Sequence, residues 1–293
     1  MTTQSITPAV TEGQRKQVKR FAEDAVDRAI TKGVLDKNGA QKLIKNGDQF
    51  QADIIASIKE HSLSNQFADE EVESSYGYLS GYTKPKGITE QTNILRQLFP
   101  GIGFADEKLA QQPLPPNTEG WFAIPRWQSV AKTYNEAVQK VLDLIKQQRK
   151  GKFYNWREGQ LGEQYLRQHE RTTKKFEALG EAQKGYDILV IAAQFGLRHR
   201  GRSVRRAREV FMINEFGLGA FAVGIMILTH PERLMNYDDL WIDCAGDEFA
   251  PGADGDFHRA PCFDFDGDEV WFITGCVGIA SKYFGSASAF LPQ

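Results

Sequence analysis

Six arginines, Arg198, Arg200, Arg202, Arg205, Arg206 and Arg208, fall within eleven positions around His199 and Ser203, in a chain whose formal net charge is −2. Guanidinium groups bind phosphate and carboxylate oxygens through paired N–H donors, so anion binding is the first chemistry the sequence offers. The run before them, "YDILVIAAQF" (186–195), is rich in Ile, Val and Leu without alternation, as in a strand buried on both faces of a mixed or parallel sheet. It leads through the glycine loop "GLRHRGR" into a helix that Ser203 can cap. A strand, a glycine loop and a capped helix start together present free backbone N–H groups and the positive end of a helix dipole. The expected binding set is Arg198, His199, Arg200, Arg202, Ser203, Arg205 and Arg206. The expected partner is nucleic acid or another phosphate-bearing polyanion. Aromatic interleaving is thin, with Phe195 before the loop and Phe211 on the packed side of the helix, so no particular nucleic acid is indicated.

The competing reading is internal pairing. Between Asp238 and Glu269 the chain carries nine Asp and two Glu against a single Arg, and the arginines would then be the counter-charge to that segment.

A second constellation lies in "LWIDCAGDEFAPGADGDF". Asp243, Asp247 and Glu248 surround a strand end and its turn, where carboxylates can hold Mg²⁺ or Mn²⁺. With arginines as phosphate clamps and His230 of "THPERL" as acid or base, these would be the parts of a metal-dependent phosphoester hydrolase. Asp beside Gly also punctuates ordinary turns, and the bland geometry is the weightier expectation. A calcium loop fails, because Glu269 stands where the pattern after Asp264, Asp266 and Asp268 needs glycine. Cys244, His258, Cys262 and Cys276 lack the paired close spacings of zinc sites and read as core or strand residues. No phosphate loop, H-E-x-x-H or G-x-S-x-G motif is present. A third class of function is structural: a homo-oligomer in which arginine and acidic segments pair between subunits, with "YFGSASAFLPQ" docking on a neighbour or closing its own sheet.

The positioning elements follow from hydrophobic spacing. From Gln14 to Thr31, Val18, Phe21, Ala22, Ala25, Val26, Ala29 and Ile30 recur at 3- and 4-residue intervals, which predicts an amphipathic helix. A short helix in "DKNGAQKLIKNG" and another capped by Asp48 follow. Their second and third helices carry no arginine fork for DNA, so a lid or docking module is expected. A short helix is expected near 89–98, a strand in "GWFAIPRW", a long helix capped by Ser129, and a further helix over "GQLGEQYLRQHERTTKKFEALGE". The glycines of "GLGAFAVG" are expected to let a helix pack closely against the sheet. "DFDGDEVWF" predicts a hairpin. The expected fold is α+β: a helical module over 1–65, a turn-rich linker with one short helix over 66–118, and a core over 119–293 of mixed sheet and packed helices, β-rich in its last third.

With 41% hydrophobic and 11% aromatic residues the chain has apolar surface enough to fold. Its longest apolar run (216–229) is too short, at about 1.5 Å per helical residue, to cross a hydrocarbon core of roughly 30 Å, so no membrane partner is expected. An odd cysteine count and a start without a basic and apolar leader point to the cytoplasm.

Overall fold

Thr11 opens the first helix through a reciprocal cap: its hydroxyl accepts the Gln14 N–H at 3.2 Å while the Gln14 side chain accepts the Thr11 N–H at 2.9 Å. This helix, α1 (Glu12–Thr31), is followed by α2 (Lys37–Lys45), capped by Asp36, and α3 (Gly47–His61). Asp48, expected as a cap, sits in the first turn of α3. The computed structural model describes residues 10–61 and 66–291. The chain divides into two compact units, Met1–His61 and Ser62–Gln293. Among the described residues no helix is long and apolar enough to cross a membrane.

The second unit is built on two sheets, and the fold class is α+β. Its elements in chain order are α4 (Ile88–Leu98), β1 (Gly120–Pro125), α5 (Tyr134–Gln148), β2 (Phe153–Asn155), β3 (Leu166–Gln168) and α6 (Glu170–Ala182). Then come β4 (Ile188–Gln194), α7 (Val204–Val210), β5 (Glu215–Gly217) and α8 (Ala220–Thr229). Strands β6 (Trp241–Asp243), β7 (Asp247–Phe249), β8 (Arg259–Asp266), β9 (Glu269–Cys276), β10 (Phe284–Ser286) and β11 (Ser288–Phe290) complete the unit.

The first sheet has the order β1-β4-β11-β5, with every pair antiparallel. All seven residues of β4 are buried, as the unalternating run predicts, but its neighbours are antiparallel. In the second sheet β8 pairs with β9 along one edge and with β6 and β7 along the other; β10, β3 and β2 extend β6, β7 and β9. The C-terminal run crosses between sheets at Ala287, so β10 joins β6 while β11 inserts between β4 and β5. The chain thus closes its own sheets with this segment.

Two segments differ from expectation. The long helix starts at Tyr134 rather than Ser129, because Thr133 and Glu136 form its capping box. The segment 159–181 is no single helix: Leu166 is buried against Phe249 in the β3–β7 pair, and His169 then caps α6. The hairpin forms with Gly267 and Asp268 as its loop, at φ 54° and 66°, the left-handed pair that a two-residue reverse turn requires.

Helix α8 is buried at every residue, which suits its all-round apolar composition. A Cβ on Gly224 would come within 2.4 Å of Val141, so glycine here brings α8 against α5. Gly217 and Gly246 face each other just as closely: a Cβ on Gly246 would lie 2.4 Å from the Gly217 carbonyl oxygen. That backbone-to-backbone contact holds the β6–β7 turn beside the end of β5, where the site described next is assembled.

Candidate anion-binding site

The arginine segment begins where β4 ends. Gly196, at φ 141°, turns the chain into a short 3-10 turn over Leu197–His199, and Ser203 caps α7 by accepting the Arg206 N–H at 3.0 Å. The same hydroxyl donates to Glu70 at 2.8 Å. Residues 70–72 cross this loop as a strap: the Val72 N–H donates to the Gly201 carbonyl at 2.7 Å and the Ser203 N–H to that of Glu70 at 3.0 Å. Ser203→Ala removes both the cap and the strap contact, and is expected to lower unfolding free energy by about 1–2 kcal/mol. A guanidinium denaturation curve with an unchanged midpoint would contradict this.

The strap also carries the counter-charges. Arg205 pairs with Glu70, Arg202 with Glu71 at 3.0 Å, and Arg206 with Glu71 at 3.5 Å and Glu209 at 3.1 Å. Arg198 reaches Glu215 at 3.1 Å, and buried His199 shares that carboxylate at 2.7 Å. Arg200 is exposed, and its guanidinium donates to the Tyr76 carbonyl at 3.3 Å. None of these carboxylates belongs to the acidic segment 238–269. The signal for Glu70 and Glu71 was the acidic run Asp69, Glu70, Glu71 and Glu73, which the sequence reading passed over.

A cavity of about 360 Å³ opens between Gln66 and Phe67, the start of α6, and α7, whose Glu209 also lines it. Arg171 of α6 reaches the carbonyls of Met212 and Glu215 with one guanidinium nitrogen. Arg208 of α7 donates to the carbonyls of Ala245 at 2.9 Å and Asp247 at 2.7 Å. Among the described residues neither guanidinium has a carboxylate within ion-pairing distance, and burial pulls both below the usual arginine range. Arg205 completes the cationic wall, its guanidinium 4.2 Å from the Phe67 ring.

His169 caps α6 by accepting the Arg171 N–H on Nδ1 at 3.2 Å, which leaves the proton on Nε2. Burial, then the charge of Arg208, lowers its pKa, so it is a neutral donor at pH 7. The pocket therefore presents three guanidiniums, that of Arg205 already paired with Glu70, an imidazole N–H and the start of a 13-residue helix, beside the carboxylate of Glu209. Of these, the sequence marks Arg205 in the expected binding set and Arg208 in the arginine cluster outside that set; Arg171 and His169 lay inside a segment read as one charged helix.

The remaining candidates are placed apart. Asp247 is fully buried and accepts the Tyr134 O–H at 2.8 Å and the Ala220 N–H at 2.7 Å. Tyr134 lines a second cavity, of about 460 Å³, so Asp247 lies behind that wall. Burial raises Asp243 and Asp247 to about 7, with Arg208 opposing the shift in each. Glu248 points to the other face of β7 and pairs with Arg167 at 2.8 Å. Among the described residues no three His, Cys, Asp or Glu side chains are grouped to hold a metal ion. His230 is fully buried among Tyr82, Phe122 and Phe195, its Nε2 accepting the Lys86 N–H at 2.9 Å and its Nδ1 lying 2.9 Å from the Thr229 hydroxyl. Burial and the Lys86 charge lower its pKa to about 4.

No family model, curated protein or solved structure matches the chain.

Proposed function

We propose that the chain binds a phosphate- or carboxylate-bearing anion of small-molecule size in the pocket of Arg171, Arg205, Arg208 and His169. The observation that carries this reading is the state of Arg171 and Arg208. Both are engaged by carbonyl oxygens, which fix their planes without cancelling their charge. An anion entering the cavity would add a direct counter-charge through charge-assisted hydrogen bonds. The volume, about 360 Å³, lies within the range of small-ligand pockets. A nucleic-acid backbone is the extended form of the same ligand, and exposed Arg200 is the residue through which the loop would join it. A reducing, cytoplasmic setting belongs to the proposal, supported by three cysteines that are all free thiols.

Calorimetric titration with inorganic phosphate, pyrophosphate and a short single-stranded oligonucleotide tests it. Arg205→Gln and Arg171→Gln are each expected to weaken pyrophosphate binding about tenfold or more, the scale of one lost hydrogen bond to a charged group. The double variant Arg200→Ala/Arg202→Ala should leave pyrophosphate affinity within about twofold, because neither side chain lines the pocket. Pyrophosphate binding indifferent to Arg171 and Arg205 would remove the pocket reading. Oligonucleotide binding lost in the double variant, with no pyrophosphate binding at all, would move the function to the loop.

A further inference from the structure

The second cavity, of about 460 Å³, is walled by aromatic rings from four segments: Trp127 after β1, Tyr134 opening α5, Phe176 in the middle of α6 and Phe221 in the first turn of α8. Trp127 and Tyr134 stand at 83° with centroids 6.2 Å apart, and Tyr134 and Phe221 at 62° with centroids 6.4 Å apart. Neighbouring rings therefore meet like the sides of a box, with space left between them. Tyr134 and Phe221 are buried and form its inner end, while half-buried Trp127 and Phe176 stand nearer to solvent. The Tyr134 O–H is committed to Asp247, so this residue offers the cavity its ring.

The charges along the wall are unequal. Phe176, Glu177, Gly180 and Glu181 recur at 3- and 4-residue spacing on one face of α6, and all four line the cavity. Lys174 is taken by Glu170 at 2.5 Å and Lys184 lies 4.0 Å from Glu181. Among the described residues Glu177 has no cation within ion-pairing distance. The cation on this wall is Arg126, and its guanidinium is turned to backbone: Nε donates to the Tyr186 carbonyl at 2.7 Å, and Nη2 to those of Gly180 at 2.6 Å and Gln183 at 2.9 Å. The last two close the C-terminal end of α6, whose partial negative charge Arg126 offsets.

An aromatic face attracts a cation, most strongly in Trp. Elsewhere the chain occupies such faces with its own side chains, Arg233 over Tyr78 at 3.6 Å and Arg167 over Phe257 at 3.7 Å among them. Among the described residues no Lys or Arg lies over Trp127, Tyr134, Phe176 or Phe221. Four unclaimed rings beside an unpaired carboxylate suit a cation that needs no hydrogen bonds. A primary ammonium carries three donors to satisfy, whereas a quaternary ammonium carries none and presents only methyl groups to the rings.

We infer that this cavity binds a small quaternary ammonium cation, its methyl groups against the four rings and its charge facing Glu177. The volume lies within the range of small-ligand pockets. The reading is independent of the anion pocket, because Arg171, Arg205, Arg208 and His169 do not line this cavity.

Calorimetric titration of the full-length protein with choline, and with its uncharged isostere in which carbon replaces the nitrogen, tests it. Choline is expected to bind at least about tenfold more tightly than the isostere. Trp127→Leu and Phe176→Leu should each weaken choline by about three- to thirtyfold, the range of a cation–ring contact from exposed to desolvated. Glu177→Gln, on the exposed side of α6, should weaken choline by about two- to fivefold and leave the isostere unchanged. The comparison of choline with its isostere uses the wild type and does not depend on the folding of a ring variant. Equal affinity for the two overturns the proposal and leaves an apolar cavity. Phenylacetate binding more tightly than choline, and lost in Arg126→Gln, overturns it in favour of an anion. No choline binding at millimolar concentration by the folded protein overturns it outright.

Discussion

Glu215→Ala should lower unfolding free energy by about 3–5 kcal/mol, the cost of removing one member of a buried charge network and stranding the rest. Glu215 has no solvent exposure and lies 2.7 Å from His199 and from the Ser288 hydroxyl, 3.1 Å from the Arg198 Nε and 3.1 Å from the Met212 N–H. Burial by itself would raise its pKa. The His199 hydrogen bond, then Arg198 and Ser288, outweigh it and bring the carboxyl down to about 2 from 4.5. Burial holds His199 neutral at pH 7, its Nε2 proton given to Glu215 and its Nδ1 accepting from Arg202 at 3.1 Å. A carboxyl whose folded pKa is depressed binds fewer protons in the native state, so its contribution is complete above 4.5 and disappears as pH falls through about 2. Urea denaturation at pH 7 and pH 3 reads both effects. The stability difference between wild type and variant should therefore be smaller at pH 3 than at pH 7. A loss below about 1 kcal/mol at pH 7 would show the network to be dispensable.

At pH 8, Asp264→Asn should be more stable than the wild type by about 1–3 kcal/mol, the scale of leaving a buried polar group unsatisfied. Asp264 is 3% exposed on β8, and its Oδ1 has no hydrogen-bond partner among the described residues. Burial, then the charge of Asp266, pushes its pKa from 3.8 to about 7. The sign is opposite to that of Glu215. The native state keeps this proton longer, so stability is highest below 3.8 and is lost as pH rises through about 7. Asparagine cannot ionise, so the gain should shrink toward zero at pH 4. Asp243 and Asp247 shift the same way, and wild-type stability should therefore decline from mildly acidic pH toward neutrality. Equal or lower stability of the variant at pH 8 would mean that Asp264 ionises at little cost.

What the sequence determined by itself is local. The 3- and 4-residue spacing in α5 marks Tyr134, Ala137, Val138, Val141, Leu142 and Ile145, and these are its buried residues. The Ser203 cap, the buried run of β4 and the β8–β9 hairpin are likewise set by neighbours a few residues apart, where steric preference and hydrophobic period act directly. The site is different. Arg205 is 135 residues from Glu70, and nothing in either segment's spacing specifies that pairing. Arg171 and Arg208 meet because β3 pairs with β7 and because Gly217 and Gly246 let the β6–β7 turn approach β5. A dense arginine run states that charge must be balanced. Which arginines pair with Glu70, Glu71 and Glu215, and which line a cavity while donating to backbone carbonyls, was decided by strand order and backbone contact, because charge acts through space and its partners are chosen only once the chain has folded.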